Sequence, residues 1–187
     1  SADWCIIETS RSTSRVWFVV NLLYTGRDYV ILLCLKSCKL LMNKYTFSTQ
    51  KGKAYYCNSI PGFIRDTSSS IVGQLVRHSF EINKEQSDAW ENQIQELQRR
   101  LNACGMEGDI IFEYDIVRLG KRIDVILLIR HMVFSLEFKN GKNVYTAQDA
   151  QQAEDYAIDI KNFHKESENL YVCPILIATD APKYHKE

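Results

Sequence analysis

Net charge is missing from this chain: 23 lysines and arginines offset 23 aspartates and glutamates, and the pI is near 6.9. No global field therefore draws it onto a polyanion, and any contact with nucleic acid has to come from a local cluster. Arg118, Lys121, Arg122, Lys139 and Lys142 are the candidates for that cluster. Long apolar runs are missing as well. "VWFVVNLLY" and "YVILLCL" are cut apart by "TGRD", and neither alone reaches the roughly 20 residues that span a bilayer, so no membrane partner is expected. Of the six cysteines, at 5, 34, 38, 57, 104 and 173, only Cys34 and Cys38 stand close, with no second pair or histidine beside them. A zinc site is therefore not expected. Without a secretory leader or a dense cysteine framework, they read as reduced thiols of a cytoplasmic protein, most of them small core residues.

What is present is ordinary globular material. With 187 residues, 45% hydrophobic and 25% charged, the chain can fold as one domain with a substantial core and room for a small appendage. Residues 1–41 hold two β-rich runs around a turn at Thr25 to Asp28. They read equally as a hairpin or as an upstream, non-native extension preceding a natural start at Met42. Residues 42–187 form the main domain. Within it "AYYCNSIPGFIRD" carries a Pro-Gly turn, and "TSSSIVGQLVRHS" reads as a short helix with a serine N-cap.

Trp90, Ile94, Leu97 and Leu101 repeat at intervals of 4, 3 and 4, which puts them on one stripe of a helix that "NACGMEG" ends with glycines. Three strands follow, 110–117, 122–129 and 132–139, joined by "LGK" and "RH". A second helix over 146–164 bears a narrow stripe of Ala150, Ala153, Ala157 and Ile160. "YVCPILIATD" then reads as a strand buried on both faces. From residue 85 onward the order is α-β-β-β-α-β.

Two of these strands carry charges among Val, Ile, Leu and Phe. Asp124 interrupts "GKRIDVILLI", and Glu137 and Lys139 interrupt "MVFSLEFKNG", two apart and so on one face about 7 Å from each other. A buried carboxylate without a purpose costs free energy. One aspartate, one glutamate and one lysine are a usable set for a hard cation and a water that attacks a phosphodiester. The bland alternative is a solvated Glu137–Lys139 pair on an exposed edge, with Asp124 paired to Arg122. On the second helix Gln152 and Tyr156 lie four apart on one flank of the alanine stripe, either facing those charges or serving as a rim residue and a packing ring.

The set Asp124, Glu137-Phe138-Lys139 and Gln152-x-x-x-Tyr156, in that order of elements, resembles the PD-(D/E)XK nuclease superfamily, in its RecB-like branch. "SSSIVGQLVRHS", "DAW", "IIFEYDI", "LEFKNG", "QAEDYAIDIKNFH" and "PILIATDA" look like the N-terminal region of bacterial proteins in which a nuclease-like region precedes a P-loop ATPase of helicase type. The likeness covers roughly residues 54–182. It implies an α/β, restriction-endonuclease-like core with a mixed sheet flanked by helices, and a Mg2+- or Mn2+-dependent deoxyribonuclease.

It further implies Asp124 and Glu137 as metal ligands with the Phe138 carbonyl as a third, Lys139 as the catalytic lysine, and Gln152 and Tyr156 as supporting groups. Arg118, Lys121, Arg122 and Lys142 would contact the nucleic acid, DNA or RNA. Many members add a glutamate from the first helix. Here the candidates are Glu91, on the flank of the Trp90 stripe, and Glu113, which shares a strand face with Ile111 and Asp115 and reads equally as a solvated charge. No Gly-x-x-x-x-Gly-Lys-Ser/Thr loop is present, so ATP hydrolysis is expected to belong to a C-terminal P-loop partner domain outside this chain. The competing expectation is a nucleic-acid-binding or regulatory module that keeps the fold without turnover, or an adaptor for that partner.

Overall fold

The computed structural model describes residues 18–19, 54–79, 83–130, 132–163, 167 and 170–181, without the side chains of residues 18, 19, 118 and 163. In chain order the elements are β1 (Phe18–Val19), β2 (Ala54–Ser59), α1 (Ile60–Arg65), α2 (Ser68–His78), α3 (Lys84–Cys104), β3 (Asp109–Ile116), β4 (Lys121–Ile129), β5 (Met132–Lys139), α4 (Ala147–Phe163) and β6 (Tyr171–Ala178). From α3 onward this is the α-β-β-β-α-β order read from the sequence. The chain divides into two compact units, Thr46–Ile129 and Ser1–Tyr45 with Arg130–Glu187.

In the first unit β3 is flanked by two antiparallel partners, β2 with Tyr56 opposite Phe112 and β4 with Phe112 opposite Val125. Three helices supply the apolar cover. Trp90, Ile94, Leu97 and Leu101 of α3 are all buried, as their spacing requires, and they stand beside Phe63 of α1 and Ile71 and Leu75 of α2 in the core. Full burial of each such side chain contributes about 1.5–3 kcal/mol. Asn83 caps α3 by accepting from Gln86 N at 2.8 Å, and Gly105 ends it in the left-handed region at φ 58°. Gln98 ties α3 to α1, donating from Nε2 to the carbonyls of Phe63 and Asp66, both at 2.7 Å.

In the second unit β5 and β6 run parallel, from Met132 opposite Tyr171 to Lys139 opposite Ala178. α4 makes the crossover between them, and its narrow face of Ala153, Ala157 and Ile160 is buried. Buried Ser167 closes the far end of α4 by donating to the Ile160 carbonyl at 2.7 Å, and Lys161 donates to the carbonyls of Ser167 and Leu170. Phe18 and Val19 pair in parallel with Ile175 and Leu176. The rest of the hairpin expected in residues 1–41 lies outside the described residues. With helices and both parallel and antiparallel strand pairs, the class is α/β.

Local readings from the sequence need correction in three places. "SIPGF" is not a turn but the start of α1: Ser59 caps it, accepting from Gly62 N at 3.1 Å, and Pro61 sits in the first turn, where its missing N–H costs nothing. Gly62 is held inside the helix because a Cβ there would run into the Asn58 carboxamide. Thr67, not a serine, caps α2. The described cysteines are free thiols but not core residues: Cys57 is exposed, and Cys104 and Cys173 are half-buried. Cys5, Cys34 and Cys38 lie outside the described residues.

Candidate functional site

In the unit containing β5, strand alternation puts Glu137 and Lys139 on one face, and the start of α4 lays Asp149, Gln152 and Tyr156 along one flank at steps of 3 and 4. The sequence-predicted group comes together. Lys139 Nζ donates to Glu137 Oε1 at 2.9 Å and to Gln152 Oε1 at 2.8 Å, and Gln152 Nε2 donates to Glu137 Oε1 at 2.8 Å and to the Tyr156 hydroxyl at 3.0 Å. Ammonium can only donate and carboxylate only accept, so the orientation of the Gln152 amide is forced by its two charged partners. Glu137 is 4% exposed, which removes the reading of a solvated surface pair. A buried pair of this kind is retained at a desolvation cost, not for stability alone.

Asp149 was not singled out by the sequence reading. It is buried, with both carboxylate oxygens 2.9 Å from Lys142 Nζ, Oδ2 accepting from the Thr146 hydroxyl at 2.6 Å, and Oδ1 standing 3.8 Å from Lys139 Nζ. Burial pushes its pKa up, but the Thr146 hydrogen bond and the Lys142 charge outweigh it and hold the carboxyl below its usual range. Thr146 in turn accepts from Asp149 N at 3.1 Å, so Thr146-x-x-Asp149 is a capping box, a signal legible in "TAQD". Glu137, Lys139, Asp149 and Lys142 thus form a row of alternating charge.

The other unit holds a second polar group, around Glu113. The ladder of β3 with β4 keeps its register from Phe112–Val125 to Tyr114–Ile123, which leaves Glu113 opposite Asp124. Glu113 takes φ +53°, a conformation uncommon for a residue with a side chain and one that marks stored strain at functional positions. It is buried, accepts from Trp90 Nε1 at 2.8 Å and pairs through Oε2 with Arg122 Nε at 2.6 Å. The expectation of a solvated strand charge is overturned: the left-handed backbone breaks the alternation on which it rested. Burial, then the Asp124 charge, pushes its pKa up to about 7, against the opposing Trp90 hydrogen bond and Arg122 charge. A carboxyl poised there can hold or release a proton at neutral pH.

The remaining sequence candidates are distributed as follows. Arg122 also donates to the Tyr55 hydroxyl at 2.7 Å and is half-exposed, so it is braced between Glu113 and Tyr55. Lys121 is half-buried at the start of β4, and the Arg118 side chain lies outside the described residues. Lys142, 45% exposed at its side chain, reaches Asp149. Phe138 stands between Glu137 and Lys139, in register with Ile177 of β6. Glu91 is exposed on α3, accepting from Ser68 and Gln95, and is set aside as a site residue.

The donors suit a hard cation: a carboxylate and a main-chain carbonyl supply oxygen, and magnesium is commonly held by one or two carboxylates with water and phosphate completing its shell. Among the described residues, no group of three or more His, Cys, Asp or Glu side chains is gathered in a metal-binding arrangement. No helix among them is long and apolar enough to cross a membrane. Comparisons with protein-family models, curated proteins and solved structures return no match to this chain.

Proposed function

We propose that this chain is a metal-dependent nuclease domain of the PD-(D/E)XK type, hydrolysing phosphodiester bonds in DNA. The observation that carries the reading is the buried network of Glu137, Lys139, Gln152 and Tyr156, in which one strand face and one helix flank hold an acid and a base in fixed contact. Glu137, with the Phe138 carbonyl beside it in sequence, would hold Mg2+ or Mn2+. When bound, such an ion supplies charge stabilisation at the scissile phosphate and lowers the pKa of an attacking water. Lys139 supplies a positive charge aimed at the same place, offsetting the charge that develops on the phosphoryl oxygens. Gln152 fixes both side chains through its two ends, and Tyr156 anchors Gln152.

The resemblance assigns a second carboxylate to Asp124, in the other unit, and phosphate contacts to Arg118, Lys121, Arg122 and Lys142. A restriction-endonuclease-like topology and a C-terminal P-loop partner domain belong to the same proposal. The experiment is cleavage of end-labelled DNA with Mg2+, Mn2+ or Ca2+. Wild type should cut with the first two and not with calcium, whose looser shell positions water poorly. Asp124→Asn, Glu137→Gln and Lys139→Met should each abolish cutting. DNA binding without cleavage in any metal would replace the proposal with a non-catalytic binding module; neither binding nor cleavage would favour an adaptor.

A further inference from the structure

Lys139 lies between two buried carboxylates, and only one of them has been given work. Its amine is 2.9 Å from Glu137 Oε1 and 3.8 Å from Asp149 Oδ1, while Gln152 Oε1 accepts from it at 2.8 Å. A capping box needs one acceptor at Asp149, yet this carboxylate is buried with one oxygen turned to within ion-pair distance of the lysine. An ammonium has three donors, and the long lysine stem can swing by about an ångström without leaving its Gln152 bond. A divalent cation arriving at Glu137 competes with the ammonium for the same oxygen and repels it.

We propose that Asp149 is a positioning residue that receives the Lys139 ammonium when a divalent cation takes Glu137, with Gln152 as the pivot. This rests on the metal-dependent reading above. Asp149 keeps the lysine charged and beside the cation instead of letting it be driven into solvent, and Lys142 neutralises Asp149 until the amine arrives. The bland alternative is that Asp149 serves only the helix cap and the Lys142 pair, and attracts a cation simply by its charge.

The two differ in a double-mutant cycle of Mn2+ affinity, measured by calorimetry on the full chain for wild type, Asp149→Asn, Lys139→Met and the double variant. A hand-over predicts that Asp149→Asn weakens Mn2+ binding about tenfold when Lys139 is present, and that Lys139→Met tightens binding and reduces the Asp149→Asn loss to less than about twofold. The same loss in both backgrounds overturns the hand-over and leaves the metal site standing. No Mn2+ binding by wild type overturns the hand-over together with the proposed function. Thermal unfolding in metal-free buffer reports folding of each variant. Should Asp149→Asn fail to fold, Asp149→Ser, which keeps a capping hydroxyl, takes its place in the cycle with the same two criteria.

Discussion

Gln152 stands with its amide nitrogen 2.8 Å from Glu137 Oε1, so the first turns of α4 reach the end of β5 through one neutral side chain. The same amide serves Lys139 and Tyr156, three hydrogen bonds that a leucine cannot make. Gln152→Leu should therefore lower stability by about 1–3 kcal/mol in metal-free buffer, because charged partners are left short of a bond. Tyr156→Phe removes one neutral acceptor and should cost about 1 kcal/mol or less. Chemical denaturation of the two variants checks the order; equal stability of Gln152→Leu and wild type would mean that the network is not formed in solution.

Glu113 makes the protein pH-sensitive. Its folded pKa of about 7 lies above the ordinary carboxylate value of 4.5, so between those limits the folded state binds more protons than the unfolded one. By linkage the stability due to Glu113 is fully present below about pH 4.5 and is lost as pH rises through 7, a change of about 3 kcal/mol. Measured from pH 5 to 8, this falling component should be present in wild type and absent in Glu113→Gln.

Trp90 reports the same event directly, since its indole donates to that carboxyl. With Trp4 and Trp17 replaced by phenylalanine, the emission of Trp90 should titrate with a midpoint near pH 7, and Glu113→Gln should flatten the curve. A midpoint in the ordinary carboxylate range would show that Glu113 is solvated.

Two glycines should prove intolerant for steric reasons. A Cβ at Gly62 would meet the Asn58 carboxamide, which also donates to Asp66 at 3.1 Å, and a Cβ at Gly108 would meet the Leu128 carbonyl at φ +153°. Gly62→Ala should cost about 1–3 kcal/mol, the price of overpacking where a side chain can yield. Gly108→Ala should cost more, because main chain must move and the backbone itself is strained. Thermal melts of the two variants give the ranking.

Much of this was legible in the sequence where one periodicity ruled a long segment. The stripe of Trp90, Ile94, Leu97 and Leu101 is buried as spaced, and the alanines of α4 face inward apart from the half-buried Ala150. The contact of Glu137 and Lys139 with Gln152 followed from strand and helix periods alone. Glu113 was misjudged because alternation assumes an unbroken β conformation, and a single left-handed residue reverses which way a side chain points. Asp149 was passed over because its capping-box signature reads as local, while its nearness to Lys139 depends on how α4 returns over β5. The Pro-Gly pair misled for a related reason: proline begins a helix as readily as it makes a turn, and the Ser59 cap decides between them.

The central claim is that Glu137 is a metal ligand. Its most direct test is the anomalous scattering of a crystal of the full chain soaked in manganese. The account predicts a manganese peak within coordination distance of the Glu137 carboxylate, with the Lys139 amine displaced from Oε1. A crystal that takes up no manganese at Glu137 and keeps the Lys139 and Gln152 bonds to Oε1 unchanged would contradict it.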